Sequence, residues 1–156
     1  IFCDAFDVIC LGGEDEFRGK LAKNYPDAKI LVSAERGLWP GTLELRREAY
    51  PKHPHRFDYA NSGCYYMTSE MFFLFIDIMQ PKYEDDDQEL MNLFYLHQVQ
   101  PKVYLDNDQI LFNSHSFIDD DEYTYENKRV GINGNLPLFT HFNGRSPRKE
   151  VDDLFI

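Results

Sequence analysis

The chain has 156 residues, of which 43% are hydrophobic and 28% charged, a composition typical of one globular domain. Its 16 Lys and Arg against 27 Asp and Glu give a formal net charge of −11, which argues against nucleic acid and anionic membranes as partners, because both attract basic surfaces. No apolar run reaches the roughly 18 residues that span a bilayer.

The first third of the chain predicts a strand, a helix and a second strand. Residues 1–11 are apolar except at Asp4 and Asp7 and end at a Gly-Gly turn, which is typical of a buried strand. Residues 14–24 begin with acids and end with Lys, as a helix dipole favours, and residues 28–34 are again apolar. This order indicates a βαβ unit and a partly parallel α/β sheet.

Further strands and helices are predicted along the rest of the chain. Residues 35–57 are rich in Pro, Gly and charge and predict a long surface excursion of functional importance. The elements expected after it are a strand at 59–67, a helix at about 69–79, a helix at about 88–99 capped by Asp86 or Asp87, strands within 102–112 and 129–142, and a last helix at 147–154. Three cysteines in apolar surroundings predict buried free thiols.

Two carboxylates, Asp4 and Asp7, interrupt the first apolar run. Buried carboxylates are costly unless they are paired, hydrogen-bonded or bound to a metal. A spacing of three residues places them on opposite faces of a regular strand, so they can share a metal only if the strand turns between them. The alternative is one capping and one surface aspartate.

A second polar group ends the apolar segment 136–139. His141 there is either a hydrogen-bonded core residue or a ligand that completes, with two aspartates, a set of oxygen and nitrogen donors suited to Mn²⁺ or Mg²⁺. Asn143 and Gly144 would allow close approach of a phosphate.

The acidic run at 84–88 has two interpretations. It is either a solvated helix cap or a source of carboxylates that bind sugar hydroxyls or accept a proton. Asp106-Asn107-Asp108 begins like a calcium loop, but the Gly and the distal Glu of an EF-hand are missing. No P-loop, Gly-x-Ser-x-Gly or Rossmann glycine pattern occurs, which argues against kinase-like, hydrolase-like and dehydrogenase-like functions.

Six motifs, taken in order, point to a family. They are IFCDAFDVI at 1–9, VSAE at 32–35 with Trp39-Pro40, YANSG at 59–63, DDDQ at 85–88, YLD at 104–106 with ILF at 110–112, and LP at 136–137 with HFNG at 141–144. Together they resemble the glycosyltransferase domain of procollagen lysyl hydroxylases. The resemblance runs through nearly the whole chain.

The resemblance implies an α/β domain of GT-A type, with a Rossmann-like mixed sheet flanked by helices, and a role for each motif. Asp4, Asp7 and His141 would bind Mn²⁺ against the UDP diphosphate. The remaining implied roles are Phe6 beside the nucleotide, Asn143 and Gly144 beside the diphosphate, Ser62 and Gly63 against the sugar, Trp39 in the acceptor cleft, and Asp86 and Asp87 as the catalytic, sugar- or acceptor-binding carboxylates.

The implied activity is Mn²⁺-dependent transfer of glucose or galactose from a UDP-sugar to collagen-type hydroxylysine or galactosyl-hydroxylysine, in the endoplasmic reticulum lumen or secretory pathway. Residues 1–156 would form a single partial domain that lacks the N-terminal nucleotide-binding half and is weakly active or inactive alone. Cys64, Gly41 and Phe142 depart from the family pattern and leave donor and acceptor open. The alternatives are a non-catalytic collagen- or glycan-binding module and a related transferase with another acceptor.

Overall fold

The computed structural model describes residues 1–42, 46–97, 102–126 and 129–144. The strands are β1 (Phe2–Cys3), β2 (Val8–Cys10), β3 (Ile30–Glu35), β4 (Tyr59–Met67), β5 (Val103–Asp106), β6 (Phe112–Ser114), β7 (Tyr123–Glu126), β8 (Arg129–Ile132) and β9 (Phe139–His141). The helices are α1 (Glu14–Asn24), α2 (Ser69–Met79) and α3 (Asp87–Leu96), with single 3₁₀ turns at Arg47–Ala49 and Asp120–Glu122. The predicted last helix at 147–154 lies outside the described residues.

The described strands form two mixed sheets and one two-stranded antiparallel pair. The first sheet has the order β1-β4-β3-β5, with β3 and β5 parallel and the other pairs antiparallel. The second has the order β2-β9-β6, with β6 and β9 parallel, and β7 pairs with β8. The predicted α/β class, a mixed sheet flanked by helices, is confirmed. No helix among the described residues is long and apolar enough to cross a membrane.

The central strand β3 is buried on both faces. Ile30 and Val32 pack with α2 and α3 on one side, whereas Leu31 packs toward α1 and the second sheet. Every residue of β3 is buried, which explains why the strand begins with the continuous apolar run Ile30–Val32 instead of an alternating pattern.

Local signals set the ends of the helices. Thr68 begins α2 by accepting a hydrogen bond from the backbone N–H of Met71, and Asp86 begins α3 by accepting one from Glu89. The acidic first turn and terminal lysine of α1 match its dipole. The predicted bounds of α1, β4 and α2 are confirmed. Of the two residues predicted to cap α3, Asp86 is the one that does so.

The prediction of one buried strand over residues 1–11 is wrong. The chain turns at residues 5–7, so that β1 pairs with β4 in the first sheet and β2 pairs with β9 in the second. The predicted βαβ unit is also wrong, because β2 and β3 lie in different sheets. The parallel partner of β3 is β5, which follows much later in the chain.

The single strands predicted within 102–112 and 129–142 are likewise divided. Asp106, fully buried, accepts hydrogen bonds from the backbone N–H groups of Ile110, Leu111 and Phe112 at 2.7–2.8 Å and from the Tyr25 hydroxyl at 2.7 Å. Its carboxylate closes the turn that moves the chain from β5 to β6. Residues 133–138 likewise separate β8 from β9.

The cysteines differ in exposure. Cys64 is buried, as predicted, but Cys3 is only partly buried and Cys10 is exposed. The prediction of three buried thiols is therefore wrong for Cys10, because β2 lies at an edge of the second sheet.

Replacing Asp106 by Asn is expected to lower the free energy of unfolding by about 3 kcal/mol, because an amide cannot accept all four hydrogen bonds and leaves a buried N–H unpaired. Denaturant unfolding measures the difference. The exposed neighbour Asp108 is the matched control, and Asp108→Asn should change the free energy by less than about 0.5 kcal/mol. Equal effects of the two substitutions would contradict the role given to Asp106.

Candidate metal centre and cleft

The structure brings together the three predicted metal ligands. Nε2 of His141 lies 3.7 Å from Oδ2 of Asp4 and 3.3 Å from Oδ2 of Asp7. One ligand atom from each residue falls within 4.8 Å of the other two. The turn between β1 and β2 makes this cluster possible, because it brings the carboxylates of both aspartates close to the same ring nitrogen of His141.

Backbone hydrogen bonds hold the ligands from both sheets. The N–H of Asp4 donates to the carbonyl of Gly63 at 2.9 Å, next to the β1–β4 pair. The N–H of Phe142 donates to the carbonyl of Asp7 at 2.9 Å, and Val8 stands opposite His141 in the β2–β9 pair. The cluster therefore lies where the two sheets meet.

The other ring nitrogen of His141 is fixed by Asn61. Nδ1 of His141 lies 2.9 Å from the Asn61 side-chain oxygen, which also accepts the backbone N–H of Gly63 at 3.0 Å. Because this oxygen can only accept, the proton of a neutral His141 sits on Nδ1 and the Nε2 lone pair faces the aspartates. Burial lowers the pKa of His141, although both aspartates oppose the shift, so the neutral, ligand-competent form is favoured near pH 7.

The aspartates are crowded by like charge. Burial raises the pKa of Asp4, and the charges of Asp7 and Asp87 raise it further, against the opposing effect of His141. A divalent cation would relieve this repulsion. Two carboxylate oxygens and one imidazole nitrogen suit Mn²⁺ or Mg²⁺, so the residues present fit a metal of this class.

Gly63 is the residue that gives His141 its position. A Cβ atom at Gly63 would lie 2.2 Å from Cε1 and 2.5 Å from Nδ1 of His141. The imidazole therefore rests directly on the backbone of β4, and any larger residue must displace the ring.

A cleft of about 600 Å³ opens beside the cluster, and His141 forms part of its wall. Its lining has a polar part and a largely apolar part. The polar part comprises Glu35, Arg47, Asn61, Gln88, Ser116, His141 and Asn143, and the rest comprises Gly37, Leu38, Trp39, Phe117 and Gly144.

Glu35 is a buried carboxylate in this cleft, with 4% of its surface exposed. It accepts hydrogen bonds from the side-chain amides of Asn61 at 3.2 Å, Asn143 at 2.9 Å, and Gln88. Burial raises the pKa of Glu35 to about 7, against the opposing effect of these amides. A carboxyl group with such a pKa can exchange a proton at neutral pH.

Sequence reasoning gave Glu35 and Gln88 no function. The predicted surface loop begins at Glu35, but this residue is the last of β3. The signal in the sequence is a carboxylate at the end of a mainly apolar run, similar to the position of Asp4.

Phe6 and Trp39, predicted beside the nucleotide and in the acceptor cleft, are both exposed. Phe6 is fully exposed at the turn between the two aspartates, and Trp39 is 62% exposed at the cleft. Asn143 and Gly144 line the cleft. Gly144 has a φ of +67°, a conformation that favours glycine.

The remaining predicted residues divide into two groups. Asp86 and Asp87 are both exposed, but Asp86 is engaged as the cap of α3, whereas the charge of Asp87 acts on Asp4. Ser62 is buried, and Gly63 lies under His141, so neither is part of the cleft lining. Their contact with a sugar stays a prediction.

Substituting Gly63 by Ala is expected to weaken Mn²⁺ binding at least about tenfold, because the displaced His141 ring no longer faces the aspartates. Isothermal titration calorimetry with MnCl₂ measures the affinity. Gly19→Ala, at an exposed position of α1 with no atom near the added Cβ, is the control, and it should keep the affinity and raise stability by up to about 1 kcal/mol. Unchanged affinity in a folded Gly63→Ala protein would contradict the argument.

Glu35 should impose a pH dependence on stability. Its pKa rises from 4.5 to about 7 on folding, so its contribution is fully present below pH 4.5 and is lost as the pH rises through 7. Relative to Glu35→Gln, the wild-type free energy of unfolding is expected to fall by up to about 3 kcal/mol over this range. Urea unfolding at pH 4.5 to 8 tests this, and a pH-independent difference between the two proteins would refute it.

Comparison with known proteins identifies the family of this chain. The PLOD GT domain family matches residues 1–151, which include all three candidate ligands. Uncharacterized protein R699 of Acanthamoeba polyphaga mimivirus is 29% identical over 152 residues, 97% of this chain and 32% of that protein. The chain thus spans about a third of the length of this relative. The resemblance drawn from the motifs is confirmed, and the chain belongs to the PLOD glycosyltransferase domain family.

Proposed function

We propose that this glycosyltransferase domain moves glucose or galactose from a UDP-sugar to hydroxylysine or galactosyl-hydroxylysine of a collagen-type acceptor, in a Mn²⁺-dependent reaction of the secretory pathway. The observation that carries the proposal is the cluster of Asp4, Asp7 and His141, whose histidine also lines a cleft of about 600 Å³. Family membership supports the reaction class.

The donor side would be formed by the metal ligands and their neighbours. Asp4, Asp7 and His141 would hold the cation, which when bound neutralises charge developing on a leaving diphosphate. Phe6, exposed between the two aspartates, offers a ring for stacking on a base. Asn143, whose amide is oriented by Glu35, would lie beside the diphosphate.

The acceptor side would be the cleft itself. Trp39 provides an exposed aromatic face for a sugar or peptide, and Glu35 is a carboxyl group able to accept a hydroxyl proton. Of the two acidic candidates, Asp87 is the better placed, because Asp86 already accepts the N–H of Glu89 at 2.9 Å. The net charge of −11 would attract Lys- and Arg-rich acceptors.

Because a partial domain is expected to be weakly active alone, UDP release from UDP-glucose and UDP-galactose is measured on the full-length protein, with and without Mn²⁺. Calorimetric binding of UDP accompanies it, and together they test the proposal. Asp4→Ala and His141→Ala should each lower Mn²⁺-dependent turnover at least about 100-fold, since each removes one of three ligands. Asp27→Ala, an exposed carboxylate away from the cluster, is the control and should keep wild-type activity.

The outcomes separate the possible functions. Mn²⁺-dependent release that is lost in both ligand variants supports the transferase, and the preferred sugar identifies the donor. Mn²⁺-dependent UDP binding without release from either donor, with a collagen-type peptide present, would instead indicate a binding module and overturn the proposal.

A further inference from the structure

Two of the three cysteines stand directly opposite each other in the first sheet. Cys3 of β1 is the register partner of Cys64 of β4 in an antiparallel pair. Directly opposed residues in such pairs have Cα atoms about 4.5 or 5.5 Å apart, and both values lie within the range that a disulfide spans. Directly opposed residues of an antiparallel pair also have side chains on the same face of the sheet, so the two thiols are neighbours.

The third cysteine is separated from this pair. Cys10 lies in the second sheet and is exposed, and its thiol donates to the carbonyl of Gly12 at 3.3 Å. Cys3 is only partly buried, whereas Cys64 has no exposed surface. A reagent from solvent can therefore reach Cys3, while Cys64 is accessible only through its neighbour.

We propose that Cys3 and Cys64 are an oxidation site that forms a reversible disulfide between β1 and β4. The oxidant is a low-molecular-weight disulfide. The Cys3 thiolate attacks one of its sulfurs and releases one small thiol, and the Cys64 thiolate then displaces the second. The two cysteines together lose two electrons and two protons, and the oxidant becomes two thiols.

The disulfide would join β1, the shortest strand of the first sheet, covalently to β4. β1 has two residues, two register pairs and a position at the sheet edge. Cys3 directly precedes Asp4, and Cys64 directly follows Gly63, which supports His141. Oxidation would therefore fix the two backbone segments on which the candidate metal centre rests, and closing a loop of about 60 residues stabilises a fold mainly by restricting its unfolded chain.

Mass spectrometry after incubation with oxidised glutathione tests the proposal on the whole chain. Cys10→Ser should lose about 2 Da through an intramolecular disulfide. Proteolysis of this variant and of the wild type should yield one reducible peptide pair joining Cys3 to Cys64, whether or not the exposed Cys10 of the wild type carries glutathione. Cys3→Ser, at the partly exposed position, should form no such bond. The melting temperature of the oxidised wild type should exceed that of the reduced protein by about 10 °C, and oxidant should leave that of Cys3→Ser unchanged.

Three results would overturn the proposal. One is a stable glutathione adduct on Cys3 with a free Cys64 thiol. Another is a disulfide that contains Cys10 in place of either residue. The third is a Cys3–Cys64 bond that lowers the melting temperature, because such a bond would distort the β1–β4 pair instead of stabilising it.

Discussion

The contact between the His141 ring and the backbone of Gly63 is the constraint on which the site depends. It joins β9 of the second sheet to β4 of the first, and a Cβ at position 63 would lie 2.2 Å from the ring. The turn of residues 4–7 crosses the same junction, so both aspartates reach the ring from one side. A metal site is thus formed by the way two sheets meet, and no single element contains it.

A buried polar network extends this junction into the cleft. Asn61 contacts His141 with its oxygen and Glu35 with its amide, and Glu35 also accepts from Gln88 and Asn143. Buried polar groups arranged in this way hold one another in fixed orientations, since each would be costly to leave unpaired. The orientation of the candidate metal-ligating imidazole in β9 is therefore coupled to the carboxyl group of Glu35 at the end of β3, far away in the sequence.

Local chemistry made part of this structure predictable. Thr68, Asp86 and the acidic start of α1 marked the helices, and Asp4, Asp7 and His141 were recognisable because carboxylates and imidazole are unusual beside apolar runs. The pairing of strands that lie far apart in the sequence could not be predicted. Residues 1–11 are divided between two sheets because β1 pairs with β4 and β2 pairs with β9. The importance of Glu35 depends on side-chain amides of residues that are distant in the sequence. Asp86 and Asp87 have the same side chain, so the sequence alone does not show which of them caps α3 and which raises the pKa of Asp4. Their positions relative to the start of α3 decide this.

The order of the ligands along the chain has a consequence for how the domain is made. Asp4 and Asp7 are synthesised before the helices α1, α2 and α3, whereas β9 and His141 follow all three. During synthesis the two aspartates have no imidazole partner until β9 emerges and pairs with β2. Pairings across such sequence distances form slowly because a long loop must close first. The chain can therefore bind a cation at this site only after β9 has been synthesised. Shortened products that stop before β9 would contain both carboxylates but no complete site.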